Sequence, residues 1–580
     1  MAIEEEVPPP KPPSSPSSID GSSQRKTKPG TKRLFLTLSV LLSFLSGIPF
    51  LLKSTEIHRS PLPFAGAISS RQNLSFPCRF HAVFLPSSSS SFSPPQALAR
   101  SLLQSTSSSS TCSSVTISVT VDSPGGCEST EDGIWKCGAR NGIEFSGDVD
   151  DDAVDELLDL RIGAAARIYT VVVAVKEEEV RVVVGKHRHA WIVGRVSEEA
   201  AVEMVSEIFA KMFMRGGREE NKEEEDFMPV GLDGNLVLSL SLLNAGPNDW
   251  VYDWEMQKVE KLILAPVVEA LAPIANIRTE SQVLYHTPKS SISSWDDNLS
   301  SYVFSTRDLP FFVNSNEWHL DTSVAVTGRS KVLQFVVYVP SVDECPLLLR
   351  LPNGDTSKTN GFISPMWGGV VVWNPPNCSR NSLLTQLTRN MISPEEMQKI
   401  FQVFVGQLRL LFGFKSDYSH VVGGRKFNFL PSVRGFTEWE LDVLYRHHAC
   451  SNLISCTSTL ESLSKLVQSL PRMIVKDEIG KQVKLSLEAA SLAQNNASLG
   501  EYDASAASSR KARTLAEDAF FHPSVMSISY SSIEHYFAIY MPFFAPVSLH
   551  VLLAAIKEIK RYKKEKAKYL SFVAGQTIAS

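Results

Sequence analysis

The sequence predicts an α/β lumenal domain with a C-terminal helical segment, flanked by two transmembrane helices. Two uncharged apolar runs, at 34–52 and 536–556, lie near the ends of a 580-residue chain that is otherwise of soluble composition, 21% charged with a formal net charge of −5. Between them, from Arg161, runs of β-branched residues alternate with stretches of helical spacing. From about Thr437 the spacing is almost wholly helical.

The chain opens with MAIEEEVPPPKPPSSPSSIDGSSQRKTKPG, too poor in large apolar side chains to offset the entropy of ordering, so residues 1–33 read as a disordered cytosolic tail. LFLTLSVLLSFLSGIPFLL, at 34–52, follows. As a helix it extends about 30 Å, the thickness of a bilayer core. It is longer than the apolar region of a signal peptide, and cleavage after Ser46 would leave Phe44 three positions back, so an uncleaved anchor is expected. Arg25, Lys26, Lys28, Lys32 and Arg33 precede this run; Lys557, Lys560, Arg561, Lys563, Lys564, Lys566 and Lys568 follow the second, in a basic tail over 557–580. The stretch 521–535 has neither Lys nor Arg. The positive-inside tendency then puts both ends in the cytosol and everything between them across the membrane.

That placement makes independent demands. Four Asn-x-Ser sequons, at Asn73, Asn298, Asn377 and Asn496, lie between the runs, where N-glycosylation is possible. All eight cysteines fall there too, in a compartment where disulfides persist. Eight is sparse for so long a domain, so the core is expected to fold mainly by apolar burial, with one or two bridges such as Cys127 to Cys137; pairing does not follow from spacing alone.

Residues 53–160 form a lumenal segment with serine-rich loops at 87–93 and 105–114. The acidic stretches GDVDDDAVDE and REENKEEEDF read as solvated. The lumenal α/β domain is placed at 161–435. RIYTVVVAVKEEEVRVVVGKHRHAWIVGRV reads as strands, and SEEAAVEMVSEIFAKMF as a helix capped by Ser197. NLVLSLSLLN is a strand, WEMQKVEKLILAPVVEALAPI a helix interrupted by proline, ESQVLYH a return strand, and KVLQFVVYVP and GGVVVWNPP further strands. Residues 436–530 form the helical region leading to the second span.

Catalytic motifs are missing: there is no G-x-S-x-G, H-E-x-x-H, P-loop or G-x-G-x-x-G. His187 and His189 share a strand face, but no third ligand completes a zinc set. His447 and His448 are adjacent on a helix, point apart, and read as surface or interface residues. Asp148, Asp150 and Asp152 resemble a calcium loop, yet Ala153 replaces its glycine and Asp159 its final glutamate. Trp367 and Trp373 could line a glycan pocket, though strand tryptophans are more often core. No catalytic residue, cofactor, metal or nucleic-acid partner is expected.

Several segments resemble the phosphatidylinositol-glycan class S family, subunits of the glycosylphosphatidylinositol (GPI) transamidase complex of the endoplasmic reticulum. They are GIPFLLKSTEIHRSPLP, LSLSLLNAGPNDWVYDWEMQKVEKLILAPVVEALAPIANIRTESQVLYH, LQFVVYVPS, MWGGVVVWN and HYFAIYMPFFAPVSLHVLLAAIKEIKRYKKEK. The resemblance implies a non-catalytic subunit supporting assembly and activity. Its partners would be the other subunits, among them a caspase-like cysteine peptidase that transfers a proprotein's new carbonyl to the lipid's ethanolamine. The alternative is a two-span membrane-anchored lumenal hydrolase or glycan transferase with an unrecognised site; a third reading is a lone lumenal receptor or tether.

The closing segment adds one expectation. Proline lacks an amide hydrogen and crowds the carbonyl four residues back, so Pro542 and Pro546 free the carbonyls of Ala538 and Pro542. Ala538, Pro542, Pro546 and His550 recur every four residues, forming one stripe. That face is expected to dock on other membrane subunits or ordered lipid headgroups.

Overall fold

In a computed structural model, strands of this chain form two large, mostly parallel β-sheets covered by helices, and two small sheets of three and two strands. The structure describes residues 26–54, 59–63, 76–85, 115–122, 150–162, 167–217, 228, 230–246, 250–314, 317–323, 329–376, 378, 388–414, 419–422, 425–470, 473–526 and 533–577. In chain order these give α1 (Lys32–Ser54), β1 (Phe76–Leu85), β2 (Val115–Asp122), α2 (Asp151–Ile162), β3 (Ile168–Val175), β4 (Arg181–Val184) and β5 (His189–Gly194). Next come α3 (Glu198–Glu207), β6 (Asn235–Asn244), β7 (Trp250–Asp253), α4 (Met256–Val259), α5 (Ala265–Leu271), β8 (Asn276–Leu284), β9 (Ser294–Asp296), β10 (Ser301–Ser305), β11 (Lys331–Val339) and β12 (Leu347–Arg350). The remainder are β13 (Gly361–Ser364), β14 (Gly368–Val372), β15 (Thr388–Met391), α6 (Pro394–Leu411), β16 (Ser419–Val422), β17 (Arg425–Phe429), α7 (Glu438–Ser469), α8 (Asp477–Leu499), α9 (Tyr502–Phe520), α10 (Pro523–Met526) and α11 (Ile533–Thr577).

The chain divides into two units, the larger comprising 60–469 and 476–526. Its first sheet runs β16-β17-β4-β5-β3-β1-β2, with β1, β2, β3 and β5 parallel. Side chains alternate across it, as the two-residue period of a strand requires. Phe80, Ala82, Tyr169, Val171 and Ile192 meet α3 and its π-helical continuation Ile208–Met214, while Val83, Val172, Val183 and Trp191 meet Val154 and Leu158 of α2. The Ser197 cap is present: its hydroxyl accepts the Ala200 amide at 3.4 Å. Two strands of this sheet, β1 and β2, come from the serine-rich stretch before Arg161.

The second sheet runs β13-β14-β11-β6-β8, with β14, β11, β6 and β8 parallel. One face packs Leu238, Leu240, Leu242, Phe335 and Val337 on α5, α6 and α7; the other packs Val336, Tyr338 and Val370 on β10, β12 and the aromatic rings of Phe312 and Trp318. Gly368, at φ +145°, lets β14 lie against β11, since a Cβ there would sit 1.8 Å from the Gln334 carbonyl oxygen. The proline in the interrupted helix is Pro266. Ahead of it the chain makes a π turn, Glu260–Leu264, in which the Ala265 amide bonds Glu260 O rather than the carbonyl four residues back.

Helices α7, α8 and α9 pack together through small side chains: Ser486, Ala490 and Ala493 of α8 face Ser505, Ser509, Ala512 and Ala516 of α9, all 4% exposed or less. Gly500, at φ +80°, closes α8. Cys345 and Cys378 form a disulfide, Cys450 is also bridged, and Cys78 and Cys456 are free and buried. The expected Cys127 to Cys137 pair lies outside the described residues.

The smaller unit comprises 1–59, 470–475 and 527–580. In it α1 packs along α11. Large apolar side chains stand exposed on both, among them Phe35, Leu36 and Leu42 on the first and Ile539, Phe543, Leu549 and Leu553 on the second. Among the described residues one helix, within Ala538–Gly575, is long and apolar enough to cross a membrane. The other expected span falls on α1, a 23-residue helix containing Pro49, which does not establish a second crossing.

Candidate functional site

Ligands of open α/β sheets usually bind beyond the C-terminal ends of the parallel strands. In the second sheet that edge carries Asn244 of β6, and it is filled by the chain itself. The Asn244 amide donates to Tyr252 O (3.1 Å) and Leu284 O (3.2 Å), and its oxygen accepts the Tyr252 amide at 2.8 Å. Trp250 Nε1 donates to Pro340 O at 3.0 Å, and Trp373 Nε1 to Glu396 Oε2 at 3.3 Å. Tyr252 meets Trp373 edge-on, ring centroids 4.9 Å apart, close to the Cys345–Cys378 bridge. Each polar group named here is matched by backbone or a neighbouring side chain, which makes the edge a clamp. Trp373 is core, and Trp367 packs against the other core cluster, so neither lines a glycan pocket.

At the opposite edge of the first sheet lies a denser polar centre. His189 opens β5 beside Thr170 of β3, so this is the N-terminal end of the parallel strands. Arg188 grips α7 from the preceding turn: Nε and Nη2 donate to Asp442 at 2.6 and 2.9 Å, and Nη1 donates to Glu438 at 2.7 Å. Asp442 also accepts the Tyr169 hydroxyl at 3.0 Å. One turn on, Arg446 donates to the Cys78 sulfur and to Phe213 O (2.8 Å), and its guanidinium lies 5.3 Å from the Tyr502 ring centroid. Burial would lower the Arg188 pKa, but Asp442, Tyr169 and Glu438 together hold it above the usual value.

The acidic helix α2 supplies the outer half. Asp155 is fully buried and accepts the amides of Lys186 (2.8 Å) and His187 (3.3 Å), so the expectation of a wholly solvated acidic stretch fails there. The stretch amphipathically buries Val154, Asp155 and Leu158 while Asp152 and Glu156 stay outside, a pattern its charge density hides. Gly185 permits the approach, for a Cβ there would lie 2.0 Å from Asp155 Oδ1. Desolvation raises the Asp155 pKa; the His189 imidazole, 3.6 Å from Asp159, holds that carboxyl below its usual range. His187 Nδ1 stands 3.2 Å from Glu438, which raises the imidazole's pKa. The arrangement is a keystone joining sheet, α2 and α7. Its thiol is buried, with a pKa pushed up by desolvation, the reverse of an activated nucleophile.

The other singled-out residues scatter. His448 is a correction: it is 5% exposed rather than at the surface, and burial, then His447 and Arg513, lower its pKa to about 3. Asn298 sits exposed in the turn between β9 and β10, and Asn496 is half-buried on α8. Asn73, Asn377 and Asp148 lie outside the described residues. Ala538, Pro542, Pro546 and His550 are exposed along α11, which runs through both prolines, and His550 Nδ1 donates to Pro546 O at 2.7 Å. Among the described residues no group of three or more His, Cys, Asp or Glu is placed to hold a metal ion. The Arg188 and Arg446 anchors were missed by sequence reading; an Arg between two His in a hairpin turn was the available signal.

A family model described as "Phosphatidylinositol-glycan biosynthesis class S protein" matches residues 38–565. The chain is similar to the GPI-anchor transamidase component PIGS of Bos taurus, 30% identical over 64% of this chain and 66% of that protein, and to that of Homo sapiens, 29% identical over 64% and 66%. A GPI transamidase component PIG-S homolog of Schizosaccharomyces pombe is 28% identical over 63% of this chain and 61% of its own length. The chain thus spans slightly under two thirds of these relatives.

Proposed function

We propose, because this chain belongs to the phosphatidylinositol-glycan biosynthesis class S family, that it is a non-catalytic subunit of a GPI transamidase, supporting attachment of GPI anchors to proproteins in the endoplasmic reticulum membrane. The family match across 38–565 carries this reading. Its partners would be the other subunits, including the cysteine peptidase that performs the transfer. The closed clamp of the second sheet and the keystone of the first are scaffold chemistry, which supports a structural role.

In this reading both spans cross the membrane, 34–52 and 536–556, both termini are cytosolic, and residues 53–530 are lumenal. The serine-rich segment 53–160, the α/β domain 161–435 and the helical region 436–530 are its parts. Of the two described sequons, Asn298 is the better placed for a glycan because it is exposed in a turn, whereas Asn496 is embedded in α8.

The test is depletion followed by purification. Loss of the chain lowers surface GPI-anchored proteins and leaves uncleaved proproteins, and the tagged chain extracted in mild detergent brings down a cysteine peptidase. A monomer with its own turnover would support the membrane-anchored hydrolase instead.

A further inference from the structure

Beyond its apolar stretch α11 continues as a helix into the basic tail. From Lys557 to the end of the chain there are seven basic residues against two acidic ones. On the helix the two signs separate. Lys557, Lys560, Lys564 and Lys568 follow one another at three, four and four residues, so they form one stripe about 16 Å long. Lys557, Lys560 and Lys564 are exposed, Lys568 is half-buried, and exposed Lys563 flanks the stripe.

Glu558 and Glu565, seven residues apart, lie on another face with Tyr562 and Tyr569, and all four are half-buried. Arg561 stands between the two carboxylates and takes both: its Nη2 is 3.2 Å from Glu558 and its Nε 3.6 Å from Glu565. Among the described residues no carboxylate pairs with Lys557, Lys560 or Lys564. The stripe therefore works against the helix that carries it, since Lys557 with Lys560, and Lys560 with Lys564, are like-charged neighbours one turn apart. A negative surface facing the stripe relieves that repulsion.

Position identifies the surface. The uncharged run ends at Ile556, inside the part of α11 that is long and apolar enough to cross a membrane. The headgroup layer on each side of a bilayer core is about 5–7 Å deep. Lys557 stands about 1.5 Å past Ile556 along the axis and Lys560 about 6 Å, both within that layer. Lys564, about 12 Å out, reaches back towards it along its flexible stem. Lys568 is further from the layer than one Debye length of about 8 Å, so its share is small.

We propose that Lys557, Lys560 and Lys564 form a binding face for the headgroups of anionic phospholipids, on the side of the membrane where the second span emerges. This rests on 536–556 crossing the bilayer, as in the reading above. A lysine ammonium is a compact charge that meets phosphate and carboxylate oxygens without a fixed fork geometry, so the face selects lipids by negative charge.

The experiment places the full chain in lipid nanodiscs of phosphatidylcholine and uses spin-labelled lipids to measure how strongly phosphatidylserine is held at the protein relative to phosphatidylcholine. The unaltered chain favours phosphatidylserine. Lys557→Gln, Lys560→Gln and Lys564→Gln together lower that preference about fivefold or more, at least the share of one lysine near an anionic surface. The same three positions changed to Arg keep it. Salt gives an independent reading with no variant: at about 1 M, where the Debye length is about 3 Å, the preference of the unaltered chain falls in the same way. Equal retention of the two lipids overturns the proposal, as does a preference that the three Lys→Gln changes leave untouched. A preference that appears only after residues 1–25 are removed would give the stripe to Glu4, Glu5 and Glu6 of the chain's own tail, and would overturn it too. All of these leave the transamidase reading standing, whereas a chain that the discs do not hold at all would sink the span and this proposal together.

Discussion

Asp442 accepts three donors from two residues, Tyr169 and Arg188, and its removal would leave a guanidinium that is only 15% exposed with Glu438 as its remaining carboxylate. Asp442→Ala should therefore cost about 1.5–3 kcal/mol, the loss of charge-assisted hydrogen bonds at a buried site, seen as a fall in melting temperature. A milder pH dependence attaches to His187. Glu438 first, then Asp155 and Asp159, raise its folded pKa above the usual 6.5. That stabilisation is complete below about pH 6.5 and fades as pH rises through the folded value, so His187→Gln should destabilise more at about pH 5.5 than at about pH 8.5. An equal loss at both pH values would show that the imidazole acts only by packing. These partners come from positions some 250 residues apart in the chain, such as Arg188 and Asp442, and no local pattern announces such pairings.

Elements were legible where one face is apolar and the period is clear. β3, β5, β6, β11, β14 and α3 stand where the β-branched runs and the Ser197 cap put them. β1 and β2 were not legible, because the serine-rich sequence at 87–93 and 105–114 lies between them and masks their alternation. The helical spacing of 436–530 announces helices; what it does not tell is that α8 and α9 approach largely through Ala and Ser. So tight a seam has no room for growth: Ala512→Leu should cost about 1–3 kcal/mol by overpacking, measurable by thermal melting, whereas a change at exposed Leu499 should be near neutral. For α11, replacing 536–556 with polyleucine of equal length keeps an inserting helix but deletes the stripe of Ala538, Pro542, Pro546 and His550. If the stripe docks, subunit co-purification falls; full assembly would reduce the helix to an anchor.

For the whole molecule the first check is topology. Protease added to sealed microsomes should trim the two basic ends and spare 161–501, while cleavage there without detergent would refute the two-span arrangement. One dimension of α11 bears on how such a protein could report on its surroundings. The helix runs 45 residues without a break, about 67 Å, while a bilayer core is about 30 Å thick. Lys568 lies twelve residues past Ile556, about 18 Å along the same axis. A tilt of about 20°, common for spanning helices, would displace it sideways by about 6 Å. In a bilayer the helix would act as a lever: a subunit or lipid that changed the angle of the buried half would move a row of lysines outside the membrane, with no proline beyond Pro546 to hinge that stretch.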